Sequence, residues 1–178
     1  LFLKEKRIYE LSQIENGMPK VQPYQIGFRL LTTLLQTYSG DIDAVIASLK
    51  DVKEEQKETL RRRCVCAWYW IKESAPDCAP DFCFTLREDG SKAEDISGEM
   101  LTAVRRVRDE VVPCLDTFAV DKECQQAMYD IATELGLESK ALFTALYHAL
   151  IGKDQGPRLA SFFRIIGKEK LQKILSIY

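Results

Sequence analysis

The chain has a single histidine, His148, among 178 residues, and that scarcity narrows the chemistry at once. His148 lies in "ALYHALIG", a helix rich in apolar residues. A lone histidine there is more readily a packed or half-exposed residue than a general base. Phosphate loops of the G-x-x-x-x-G-K-[ST] kind and a G-x-G-x-x-G after a strand are both missing. Long apolar runs are missing too: nowhere do about eighteen apolar residues stand together, so no transmembrane helix is expected. Charges spread through "LFLKEKRIYELSQ" where a signal peptide would be apolar, so no secretion signal is expected. The chain opens without a methionine, in the middle of an apolar-charged pattern, and reads as a piece of a longer protein. No catalytic residue is assigned, and the piece alone is expected to be inactive.

Six cysteines stand at 64, 66, 78, 83, 114 and 124. A chain of this length can bury a full core without disulfide staples, so reduced thiols and a cytoplasmic location are expected. Cys64-x-Cys66 and Cys78-x4-Cys83 resemble metal spacings, but residues two apart on a helix point about 200° apart. No metal site and no cofactor are therefore expected in this chain.

Hydrophobic residues make up 46% of the chain and charged residues 29%, the balance of a soluble globular protein. The net charge of −2 hides an uneven distribution. Residues 77–99 hold seven acids against Arg87 and Lys92, and residues 153–178 hold six bases against Asp154 and Glu169. A basic end of this kind could face a polyanion.

Apolar periodicity is helical almost throughout. In "PYQIGFRLLTTLLQTYSG", Pro23 suits a first turn, Ile26, Leu30, Leu34 and Tyr38 share a stripe, and Gly40 closes the helix. Asp41 caps "IDAVIASLK", and a third helix runs from about Glu54 to Glu73. "SAPDCAPDFCFTLREDGSKAED" reads as a loop with room for a short strand at "FCFTL". Ser97, Asp121 and Ser139 are expected to cap the following helices, with Gly136 and Gly152 as stops. The expected fold is an all-α bundle of about eight helices in two subdomains, 1–74 and 97–178, joined by an acidic connection at 75–96.

Two stretches carry candidate binding chemistry. In "TLRRRCVCAWYWIKE", Leu60, Cys64, Ala67 and Ile71 form an aliphatic face, with Arg62 and Tyr69 roughly opposite and Arg63 and Trp70 on an adjoining side. Arginines beside rings suit phosphates and unpaired bases. A central helix with snorkelling or paired arginines fits the same pattern, as does a solvated, charge-paired face for "VRRVRDE". In "IGKDQGPRLASFFRII", Gly152 ends one helix and Pro157 starts the next, leaving Arg158 beside free N–H groups that attract anions. Asp154 could serve as that anion, so the turn is either a corner or a binding site.

The run "LYHALIGKDQGPRLASFFRIIGKEKLQKIL" resembles the C-terminal end of class I lysyl-tRNA synthetases, and "VQPYQIGFRLLTTLLQTYSGD" is similar to that family's proline-led P-[YF]-x-x-x-F-R-x-L helix. The resemblance implies an α-helix cage that grips the anticodon stem-loop of a lysine tRNA. It also implies an upstream catalytic domain that uses ATP and lysine; the His-x-Gly-His and Lys-Met-Ser-Lys-Ser signatures of that domain do not occur here. Arg158 is the leading tRNA contact on local chemistry, followed by Arg62, Arg63, Tyr69 and Trp70. The competing readings are a helical protein-interaction module and the equivalent domain of a glutamyl-tRNA synthetase.

Overall fold

The structure, a computed structural model, describes residues 22–178; the part of the expected first subdomain that precedes residue 22 lies outside the described residues, as does the stretch read for a signal peptide. Among the described residues there are nine α-helices and no strand, and no helix is long and apolar enough to cross a membrane. Helix α1 spans Phe28–Thr37, α2 Ile42–Ser48 and α3 Glu54–Glu73, followed by the single turn α4 at Ala75–Cys78. After an irregular stretch come α5 (Gly98–Arg106), α6 (Asp121–Glu134), α7 (Ser139–Ile151), α8 (Leu159–Ile166) and α9 (Lys168–Leu175).

Buried apolar residues form two clusters. Leu31, Leu34 and Leu35 of α1 pack with Val45 and Ile46 of α2 and with Leu60, Cys64, Ala67 and Ile71 of α3. The last four are the aliphatic face expected for that helix. The second cluster is larger and is built on α5 to α9, with Phe162, Phe163, Leu142, Leu146, Leu150, Leu171 and Leu175 fully enclosed. Leu86, Ala93 and Ile96 also belong to it, so the acidic connection is packed onto the second cluster along much of its length.

Several local expectations are corrected. Pro23 lies in extended backbone, and α1 starts only after Gly27. Residues 83–87 form an extended wall and not a strand: Phe84 N–H donates to the Gln36 side chain and Arg87 N–H to the Leu150 carbonyl, so no strand partner is required. Asp41 does cap α2, accepting from Ala44 N–H at 3.0 Å. Asp121 does not cap α6; Glu123 reaches back to the N–H groups of Ala119 and Val120 and takes that role. The Asp121 carboxylate is thereby free to accept from Ser161 and to pair with Arg164 at 2.9 Å, tying α6 to α8. Ser97 and Ser139 make no side-chain cap either; Ser139 is the first residue of α7.

Helix α5 runs on through a π turn (Val107–Val111) into a 3₁₀ turn (Val112–Cys114). Pro113 has no N–H to give to the Asp109 carbonyl and its ring crowds that group, which accounts for the change of winding just before it.

Candidate nucleic-acid interface

A groove of about 960 Å³ opens where α1, the 78–84 segment and the turn between α7 and α8 meet. Its size lies at the upper end of the range of about 300–1,000 Å³ usual for ligand pockets. Its lining comes from three segments: Arg29 and Leu30 of α1, Phe82 and Phe84 of the 78–84 segment, which is the wall of the groove, and Lys153, Pro157 and Arg158 of the α7–α8 turn. Phe162 and Ile165 of α8 complete the lining, and Asp81 adds one carboxylate.

The turn that carries Arg158 is fixed from within. Gly152 ends α7 in the left-handed region (φ 65°), a conformation that glycine adopts without the Cβ clash of other residues. Gly156 passes so close to Ile151 and Tyr147 that a Cβ there would stand 2.9 Å from the Ile151 methyl. The Tyr147 hydroxyl donates to the Pro157 carbonyl at 2.6 Å, and partial burial raises its pKa, which keeps it a donor. Helix α8 therefore begins at Leu159, two residues later than Pro157, with Arg158 as its N-cap residue in a non-helical conformation. Leu159, Phe162, Phe163 and Ile166 anchor α8, and the Arg158 side chain is left exposed with no hydrogen-bond or ion-pair partner among the described residues. The turn is thus a fixed corner that leaves the Arg158 side chain exposed.

Arg29 is likewise exposed at the start of α1, again without such a partner among the described residues. Beside it an aromatic chain runs from Phe28 (51% exposed) to Trp70 at 5.3 Å and on to Phe82 at 5.6 Å, each contact edge-on. Of these rings Phe82 lines the groove, and arginines and rings lining one groove can hold an anionic chain and stack flat bases.

The structure disperses the other candidates. Trp70 is half-buried inside that aromatic chain and reaches the groove through Phe82. Arg63 donates to the carbonyls of Tyr24 and Ile26, both at 2.9 Å, and so fastens the segment leading into α1. Arg62 and Tyr69 (68% exposed) lie on the outer face of α3 and do not line the groove. Cys64 is buried, which raises its pKa, while Cys66 is exposed on another face of α3.

Most other bases are already engaged. In the basic end, Lys153 donates to the Pro80 carbonyl, Lys168 to the Pro113 carbonyl, Arg164 pairs with Asp121, and Lys170 pairs with Glu88. In "VRRVRDE", Arg106 pairs with Glu110 and Glu134, Arg108 with Asp109, and Arg105 donates to the Tyr178 carbonyl. Charge runs in this sequence are mostly internal fastenings. Arg29 and Lys153 line the groove without having been singled out in the sequence; the F-R pair of the proline-led helix was the available signal for the first, and nothing local marked the second.

His148 has a fastening role. Its Nδ1 meets Asp95 and its Nε2 meets Asp154 at 2.7 Å, so both ring nitrogens face carboxylates. Arg87 lies over the same helix end, donating to the His148 carbonyl at 3.2 Å. Partial burial lowers the imidazole pKa, but the hydrogen bonds it donates to Asp154 and Asp95 and the charges of those carboxylates outweigh it and raise it above the ordinary 6.5. The bond to His148 in turn lowers the Asp95 pKa. A raised histidine pKa gives stability that is fully present below pH about 6.5 and is lost as pH rises through the folded-state value. A lowered Asp95 pKa gives stability present above the unfolded carboxylate value and lost as pH falls through the folded one. Thermal melts should thus be highest in the weakly acidic range, and His148→Ala should flatten the decline on the alkaline side. A wild-type melt unchanged between pH 5.5 and 8.5 would contradict the pairing.

These features define an all-helical binding domain with a cationic, aromatic-lined groove. Residues 83–176, more than half of the chain, match the family described as "Anticodon binding domain", and the chain belongs to that family. It is 48% identical over 178 residues to a lysine–tRNA ligase of Treponema pallidum, covering 99% of this chain and 33% of the relative. It is 35% identical over 173 residues to the lysine–tRNA ligase of Borreliella burgdorferi, and 33% identical over 182 residues to that of Thermococcus kodakarensis, in each case 97% of this chain and 32% of the relative. The chain spans about a third of the length of the curated relatives it matches.

Proposed function

We propose that this chain is the anticodon-recognition part of a cytoplasmic lysyl-tRNA synthetase, holding the anticodon stem-loop of a lysine tRNA in the groove between α1 and the α7–α8 turn. The observation that carries the reading is that Arg29 and Arg158 line one groove together with Phe82 and Phe84. Segments 27–36 and 151–165, far apart in sequence, both lie within the stretch matched by the lysine–tRNA ligases. The arginines would hold phosphates or base edges, and the exposed faces of Phe28 and Phe82 would stack on bases splayed from the loop. Lysine anticodons are rich in uridine, whose small ring leaves room in the groove for neighbouring nucleotides. In this reading residues 1–74 and 97–178 are two subdomains whose junction forms the site. Lysine activation with ATP then belongs to a catalytic domain upstream of this chain.

Titration of a fluorescently labelled RNA hairpin with a UUU anticodon tests the proposal. Binding should be tighter than to the same stem with a scrambled loop. Because few cations are uncommitted, roughly two to three phosphate contacts are expected, giving a log–log salt slope of about −1.5 to −2. Equal affinity for both loops would sink the proposal. Stronger competition by a glutamate-tRNA hairpin would transfer it to a glutamyl-tRNA synthetase. A flat salt response would favour a protein-interaction surface, for which Val65 and Tyr69 on the outer face of α3 are exposed.

A further inference from the structure

The wall of the groove leaves a 3₁₀ turn at Pro80–Phe82 and continues from Cys83 without regular structure, and backbone of that kind needs something to fix its position. Gln36, from the last turns of α1, supplies it. Its side chain is 4% exposed, in a helix otherwise buried through Leu31, Leu34 and Leu35. The Gln36 carbonyl oxygen accepts from Phe84 N–H at 2.7 Å, and its amide nitrogen donates to the Phe82 carbonyl at 3.4 Å and the Thr32 carbonyl at 3.3 Å. One amide thus grips both backbone groups that flank Cys83. Behind the wall lies a second cavity of about 380 Å³, and Gln36, Phe84, Ile151 and Lys153 border both spaces. If the wall were displaced, the Phe82 ring would lose its place against Trp70.

We infer that Gln36 is a positioning residue for the groove, setting the wall through paired hydrogen bonds to Phe82 and Phe84 and so presenting the Phe82 ring to a bound RNA base. The inference rests on the RNA-binding reading above, but the state of the wall can be read without RNA. Trp70 touches Phe82 and Trp68 borders the second cavity, so acrylamide quenching of tryptophan fluorescence reports on the wall directly.

Gln36→Glu is the informative variant. An ionised carboxylate only accepts, and it would repel the Phe82 carbonyl; a protonated one offers one O–H donor and one carbonyl acceptor, enough for the bonds to Phe82 and Phe84 although not for the second amide N–H bond to Thr32. Burial raises a carboxyl pKa, so this restoration falls within a usable acidic range. Each variant is compared with wild type at the same pH, using the UUU hairpin and the full 178-residue chain. At pH 8, Gln36→Glu should bind the hairpin about tenfold more weakly, the scale of leaving a buried backbone group unpaired, and show stronger quenching. At pH 5 both differences should close. Gln36→Leu, similar in bulk and unable to ionise, should stay weakened and more easily quenched at both pH values. Affinity in Gln36→Glu that matches wild type throughout would overturn the role, as would changed quenching with unchanged affinity. Loss of affinity that persists at pH 5 in a variant whose melt has recovered would overturn it too. Should wild type itself fail to bind the hairpin, the positioning role for RNA falls with the RNA reading, while quenching still decides whether Gln36 pins the wall.

Discussion

Replacing Arg29 and Arg158 together by alanine should weaken binding of the UUU hairpin by about 2–6 kcal/mol, combining two losses of about 1–3 kcal/mol each. Both side chains are exposed and make no hydrogen bond or ion pair among the described residues. Their removal should therefore change stability by no more than about 0.5 kcal/mol. The two arginines sit on different helices, so additivity is the expectation, and a double variant no weaker than either single would mean that only one contacts RNA. Lysine at each position sorts the contacts. An ammonium recovers much of a phosphate contact but lacks the planar fork needed for a bidentate grip on a base edge. A phosphate clamp loses affinity equally for all loop sequences, whereas a base reader loses discrimination. Unchanged affinity in the double variant, with a normal melt, would remove the groove from consideration.

Phe162→Ala should cost about 3–5 kcal/mol of stability, the usual penalty for emptying a fully buried aromatic site. Phe162 has no exposed surface, meets Phe84 edge-on at 5.2 Å and lies beneath the groove. Urea unfolding should show a lower midpoint with an unchanged slope. Phe163→Ala supplies the control: Phe163 is equally buried but does not line the groove. Stability should fall by a similar amount in both, while affinity per folded molecule should fall only with Phe162, because the void opens under Phe84. Equal affinities in the two variants would show that the floor does not shape the site.

The helical class was legible because its signals are local. The face Leu60, Cys64, Ala67 and Ile71, the Asp41 cap and the stops at Gly136 and Gly152 each depend on a few neighbouring residues. The groove was not legible, since it joins segments around 29, 82 and 158. Partner choice was hidden for the same reason: Arg105 ends on the Tyr178 carbonyl and Lys170 on Glu88, 73 and 82 residues away. The alternation in "FCFTL" looked like a strand because a side-chain amide can satisfy an extended segment as a neighbouring strand does, and no local pattern separates the two. Gln36 itself looked like one polar residue in an apolar helix.

The internal commitment of so many lysines and arginines has a kinetic consequence. With a net charge of −2, and with Lys57, Arg61, Arg106, Arg108, Arg164 and Lys170 paired with carboxylates among the described residues, little long-range field is left to draw an RNA inward. Encounter should then proceed at the unsteered rate of about 10⁵–10⁶ M⁻¹s⁻¹. In the proposed role, bulk RNA would gain no head start over the correct loop, and selection among anticodons would be exercised after collision, in how long each complex survives.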